Sequence, residues 1–190
     1  MNGRSPKRLS PVARKKWLHS MRSNRSRIMR RVAVGLAFLF LFVLGLEKPM
    51  QATQKDLETR NKQTVQAGFD AWRNGTGSPF DLLAADAKWT IVGNAPVSRT
   101  YNSKQEFMDV VIKPFNARMS RRLIPTVRRI YGDGDTVIAL FDAEGTARDG
   151  KPYRNTYTWY MRMDGGAIVE VIAFFDTIEF TDFWNRIKPD

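Results

Sequence analysis

The chain has no cysteine and one histidine, His19, and these two shortages exclude more chemistry than any motif supplies. His19 falls within the first 31 residues, so everything beyond must work without imidazole or thiol. Ser-His-Asp and Cys-His nucleophilic schemes are excluded there, as are zinc sites built on His or Cys. No disulfide speaks for or against an oxidising compartment. Any acid–base work falls to Asp, Glu, Tyr, Lys or Arg, and neither metal nor cofactor is called for.

Acidic residues are missing from one region. Residues 1–31 hold eleven of the 31 Lys and Arg and none of the 19 acids. The remainder is therefore close to neutral, with 20 basic against 19 acidic side chains. A folded nucleic-acid binder carries its basic footprint on the domain itself, so the net charge of +12 does not imply a nucleic-acid partner.

Long apolar runs are absent but for one. Residues 32–46, VAVGLAFLFLFVLGL, contain no charge. As a helix they cover roughly 22 Å, short of the ~30 Å hydrocarbon core, and they suit the h-region of a signal peptide behind Arg30-Arg31. Three readings stay open: a cleaved signal peptide, an uncleaved membrane anchor, or a buried helix. In the first two, the positive-inside rule leaves residues 1–31 in the cytoplasm and puts the globular part on the non-cytoplasmic side, secreted, periplasmic or membrane-anchored. A start at Met29 would leave a more ordinary signal peptide.

After a linker at 47–52, the globular part at 53–190 alternates helix and strand signals. Thr53 to Asp56 has capping-box spacing ahead of a helix that stops at Asn74-Gly75. Pro79 opens a short helical turn, and Lys88 to Val92 reads as a strand. Ser103 to Glu106 is a second capping box, with Pro114 interrupting its helix. Strands at 123–131 and 136–144 join through Gly-Asp-Gly-Asp. Two more strands follow, and a last helix is expected over 178–187.

The segment 142–177 carries the chemistry. Asp149-Gly150 and Asp164-Gly165-Gly166 are hairpin turns. A two-residue first turn sets Glu144 opposite Asn155, Asp142 opposite Tyr157 and Leu140 opposite Trp159, all on one sheet face. Two carboxylates, an amide, a phenol and an indole together read as a pocket wall. Asp142 and Asp176 are the candidate acid–base residues, since desolvation in a partly apolar pocket raises a carboxyl pKa toward neutrality. For Asp142 and Glu144 the competing reading is a polar cross-strand pairing near the sheet rim. For Asp176 it is a helix cap, because Asp176 to Glu179 also has capping-box spacing. Trp72, Trp89, Tyr101, Phe107 and Phe115 are either cavity lining or plain core. Arg121-Arg122 and Arg128-Arg129 read as solvated or edge-protecting charges.

The order helix, short helix, strand, helix and meander, with Tyr-x-Asn-x-Tyr-x-Trp and Phe-Phe-Asp-Thr, resembles the nuclear transport factor 2-like superfamily, within it the SnoaL-like and ketosteroid isomerase-like branch. The resemblance covers about residues 53–189. It implies an α+β cone, a curved antiparallel sheet against N-terminal helices (the cystatin-like arrangement), whose pocket takes a small hydrophobic molecule, and it implies a homodimer. By this resemblance the isomerases' general base falls near Ile91 and their oxyanion-binding Asp near Trp159. The epoxide hydrolases' Asp-Arg-Asp set falls on Asp142, Leu140 and Ala173. Neither set is intact. The turn at 164–166 leaves the facing of the last strand open: two residues put Glu170, Ile172, Phe174 and Asp176 in the pocket, three put Val171, Ala173 and Phe175 there. The resemblance favours Ala173 and Phe175. The expected ligand-binding set is Trp89, Tyr101, Glu144, Asn155, Tyr157, Trp159 and Phe175. The expected function is ligand binding, or metal-free isomerase, lyase or hydrolase chemistry by carboxylates. The alternative is a non-catalytic interaction or dimerisation domain.

Overall fold

The computed structural model describes residues 53–188. The basic tail and the apolar run 32–46 lie outside them. Among the described residues no helix is long and apolar enough to cross a membrane.

Helix α1 (residues 53–74) leads the domain and ends at Gly75, whose φ of 75° suits a residue without a Cβ. A 3-10 turn (Pro79–Leu82) feeds strand β1 (Leu83–Ile91), and β2 (Thr100–Tyr101) folds back on it. The next helix is made of three pieces. These are α2 (Lys104–Phe107), a π turn (Met108–Ile112) and α3 (Lys113–Ala117). Pro114, at the start of α3, has no N–H to continue the ladder, which accounts for the break. The second capping box forms in modified shape. Ser103 Oγ accepts from Glu106 N at 3.1 Å, but the Glu106 carboxylate reaches Asn102 N, one residue earlier than expected.

Strands β3 (Met119–Asp133), β4 (Thr136–Ala147), β5 (Pro152–Asp164) and β6 (Ala167–Phe175) form the meander, and α4 (Thr177–Arg186) closes the chain. The sheet order is β2-β1-β6-β5-β4-β3. Pairings are antiparallel except β1 with β6, which run parallel, so the sheet is mixed where a purely antiparallel one was expected. The α+β class and the curved sheet against helices are otherwise as expected.

Two local features set which side chains face inward. The first hairpin turns through three residues, Arg148, Asp149 and Gly150, closed by Ala147 N to Lys151 O at 2.9 Å. Ala143 therefore faces Asn155 and Phe141 faces Tyr157, one residue off the expected register. In the second hairpin Asp164 pairs with Ala167 across a Gly165-Gly166 turn, and the register then shifts between Arg162 and Met163. That bulge sets Trp159 opposite Ala173 and Tyr157 opposite Phe175, which puts Val171, Ala173 and Phe175 on the inner face.

The inner face packs Phe141, Trp159, Met161 and Val171 against Val65 and Phe69 of α1. Trp159 is the hub. Its ring lies 4.8 Å from Phe141, 5.0 Å from Trp89 and 5.6 Å from Phe80. Such pairs contribute about 0.5–1.5 kcal/mol each beyond the area they bury.

Candidate functional site

The inner face is not filled. Between it and the helices lies a cavity of about 530 Å³. Its deep wall is apolar, built from Phe80, Trp89, Ile91 and Phe107 on one side and Tyr157, Trp159 and Ala173 on the other. Met108, Val111 and Ile112 of the π turn form the opposite wall, with Met119 and Leu123 from the start of β3. The exposed lining residues Gly75, Asn116 and Arg122 mark the mouth. Methionines 108 and 119 near that mouth are unbranched and adaptable.

The expected ligand-binding residues divide. Trp89, Tyr157, Trp159 and Phe175 line the cavity. So do Trp72, Phe107 and Phe115, which were open between lining and core. Tyr101 does not: it is buried behind Phe107, its hydroxyl donates to Val97 O at 2.7 Å, and Arg99 covers its ring. Asn155 is buried too, bonded to the backbone of Asp176 and to Tyr153 rather than open to the cavity.

The two carboxylates of β4 leave the wall altogether. The register shift turns Asp142 and Glu144 to the outer face, opposite Thr156 and Arg154. Thr156 Oγ1 donates to Asp142 at 2.7 Å and Arg128 Nε pairs with it at 2.5 Å. The Thr156 hydroxyl, then Arg128, hold the Asp142 carboxyl below its ordinary pKa, the reverse of the upward shift expected in an apolar pocket. Arg154 holds Glu144 below its ordinary value in the same way. Asp176 is the N-cap of α4, accepting from Ile178 N at 2.9 Å and Glu179 N at 3.3 Å. These three acids border a second, separate hollow of about 720 Å³ with Arg154 and Glu179, not the apolar cavity. Among the described residues, no carboxylate lines the cavity.

Phe80 and Tyr153 were not among the expected site residues, and Arg122 was expected to be a solvated or edge-protecting charge. Arg122 donates through Nη1 and Nη2 to the carbonyls of Trp72 and Arg73, both at 2.7 Å, closing the end of α1 beside the mouth. Tyr153 links Asn155 to Tyr157, and burial pushes its hydroxyl pKa up to about 12. Tyr157 is raised well above its ordinary value, again chiefly by burial. Tyr153 had a signal: it precedes Asn155 and Tyr157 at the same alternating spacing. Trp89 Nε1 is buried without a hydrogen-bond partner, sealed from water by its neighbours.

A cone-shaped α+β domain with an apolar cavity on its inner sheet face is the class that fold and site define. A SnoaL-like domain model matches residues 65–171, more than half of the chain. The chain belongs to the SnoaL-like domain family. Its fold is similar to that of a nuclear transport factor 2-like protein from Burkholderia thailandensis, 24% identical, TM-score 0.54, over 65% of this chain and 95% of that one. Bal32a, from a soil-derived mobile gene cassette, is 16% identical with a TM-score of 0.58 over 67% and 98% of the two chains. TerC, co-crystallized with polyporic acid, is 15% identical with a TM-score of 0.55 over 66% and 98%. Comparison with curated proteins returns no match.

Proposed function

We propose that this domain binds a small, flat, mainly apolar molecule in its cavity, and that binding rather than carboxylate catalysis is its role. The carrying observation is the cavity's volume of about 530 Å³, within the ~300–1,000 Å³ range of small-molecule sites, together with its largely aromatic wall. Ligand burial against Trp89, Phe107 and Trp159 would contribute about 25 cal/mol per Å² of apolar surface removed from water. That TerC was crystallised with polyporic acid supports an organic occupant for this fold. Asp142 and Asp176, the sequence's candidate acids, serve an ion pair and a helix cap, which favours the non-catalytic reading.

The test is titration of the full chain with fluorene, followed by tryptophan fluorescence. Saturable quenching in the wild type, lost when Ala173→Phe fills the cavity, supports binding there. Quenching that is absent, or unchanged by Ala173→Phe, contradicts it.

A second copy of the chain is the proposed partner on the other side of the sheet. Tyr160, Ile172 and Phe174 stand side by side on the outer face, each about 40% exposed, with the rings of Tyr160 and Phe174 5.9 Å apart. An isologous dimer would cover them. The leader at 1–46 is proposed to place the domain on the non-cytoplasmic side of a membrane, tethered or released, because its charge and apolar run follow the positive-inside pattern. Protease protection of residues 53–190 in sealed membranes or periplasmic fractions would support that; full accessibility from the cytoplasmic side would contradict it.

A further inference from the structure

Among the described residues a single charged side chain, Arg122, lines the cavity, and its hydrogen bonds fix where the charge lies. Arg122 reaches from β3 to the last turn of α1, where Nη1 donates to the Trp72 carbonyl and Nη2 to the Arg73 carbonyl, both at 2.7 Å. The guanidinium thus sits at the negative end of the helix dipole. A Cβ placed on Gly75 would stand 3.5 Å from Cζ, Nε and Nη2 of Arg122. Trp72 and Gly75 are themselves lining residues, so the charged end of Arg122, and not its stem alone, stands at the mouth.

A guanidinium carries five N–H donors. Two are spent on the α1 carbonyls, and the Nε proton and the second protons of Nη1 and Nη2 have no partner among the described residues. Nε and Nη2 share one edge of the planar group, whose spacing a carboxylate matches with two parallel hydrogen bonds. A side chain at position 75 would pack against that edge, and glycine leaves it uncovered. The two bonds to α1 already hold the guanidinium in place, so little of its freedom remains to be lost on binding. No acid answers it from the cavity wall. Asp81, beside Gly77, accepts from Ser78 N at 2.7 Å and does not line the cavity.

We propose that Arg122 is a specificity-determining residue of the cavity, and that the ligand is an amphiphilic acid whose apolar body lies against Trp89, Phe107 and Trp159 while its carboxylate meets Arg122 at the mouth. This rests on the binding reading above and deepens it. The division of the lining supports it: the deep wall is aromatic and aliphatic, and the one charge stands at the open end, where water can solvate the far side of an ion pair. A ligand with its acid at one end satisfies both parts without burying a charge. A cationic ligand would meet like charge at the mouth and no carboxylate in the lining. Selection is therefore for anionic over neutral or cationic ends.

The experiment compares fluorene-2-carboxylate with its neutral isostere fluorene-2-carboxamide by titration calorimetry on the purified full chain. The carboxylate should bind about fivefold more tightly, the upper end for an ion pair at an exposed mouth, and the margin should shrink as sodium chloride rises to about 0.5 M. Arg122→Gln should bring the ratio of the two affinities close to one, and Arg122→Lys, which keeps the charge but not the fork, should retain part of it. The ratio is read within each variant, so a general weakening caused by loosening the end of α1 does not imitate the effect. Ala173→Phe should remove binding of both probes; carboxylate binding that persists there belongs to the basic surface and overturns the proposal. Equal binding of the two probes to the wild type overturns the role of Arg122 while leaving the apolar site standing, as does a margin that survives Arg122→Gln. Binding of neither probe, nor of fluorene, overturns the site and its charged mouth together.

Discussion

The indoles of Trp159 and Trp72 lie 6.0 Å apart with only 13° between their planes, so β5 and α1 meet through two broad parallel rings at the cavity's edge. One face of this aromatic cluster is core and another is cavity wall. Stability and binding therefore separate by position. Phe141, fully buried, packs on Phe69, Tyr157 and Trp159 and does not line the cavity. Phe141→Ala should cost about 3–5 kcal/mol in chemical denaturation. Met119→Ala at the cavity rim, where the side chain is only partly buried, should cost less than Phe141→Ala while changing probe affinity. Equal losses of stability would contradict this division.

Asp142 should be dispensable for binding. Its ion pair with Arg128 lies on the outer face with both side chains substantially exposed, and such pairs contribute ~0–1 kcal/mol. Asp142→Asn should leave fluorene affinity unchanged and shift Tm by no more than a few degrees. A marked fall in affinity would return Asp142 to the cavity's chemistry.

The end of β6 should respond more strongly. Asp176→Ala removes two N-cap bonds and should cost about 1 kcal/mol. Asn155→Leu strands both the N–H and the carbonyl of Asp176, so its cost should exceed the cap's by about 1–3 kcal/mol. Urea unfolding of the two variants decides the order, and the reverse order would show that the buried amide is not the tie between β5 and α4.

Alkaline pH should unfold the domain through its tyrosine pair. Burial raises Tyr153 from 10.0 to about 12, so its protonated form is favoured in the folded state. The stabilisation is complete below pH 10 and is lost as pH rises toward 12, on the order of 3 kcal/mol for this group. Denaturation midpoints measured across pH 9–12 should fall in that window, and less steeply in Tyr153→Phe. A flat profile would remove the buried pair from the stability account.

Self-association should depend on the outer face. Phe174→Glu places a charge beside Tyr160 and Ile172 and should convert a dimer to a monomer in sedimentation velocity without lowering Tm. A wild-type monomer at the highest accessible concentration would contradict the dimer outright.

Much of the fold was legible in the sequence, because strong signals set it: Asn74-Gly75 after α1, the Ser103 cap, and Gly-Asp-Gly-Asp between β3 and β4. What stayed hidden was parity. A hairpin around Asp149-Gly150 can close with two residues or three, and side-chain periodicity of two turns that one-residue choice into opposite faces for Asp142 and Phe141. The bulge that sends Ala173 and Phe175 inward lies in a run apolar on both faces, so composition carried no vote. The parallel pairing of β1 with β6 joins segments about eighty residues apart, beyond the reach of local pattern. Trp89, Tyr157 and Trp159 lie on the cavity wall in spite of this, because they are large rings on strands that do face inward.

Native mass spectrometry of the full chain recovered from its own source decides whether the cavity is occupied. The wild type should carry a small molecule of discrete mass that a folded Ala173→Phe variant lacks. A wild type without any adduct, or an adduct retained equally when the cavity is filled, would contradict it.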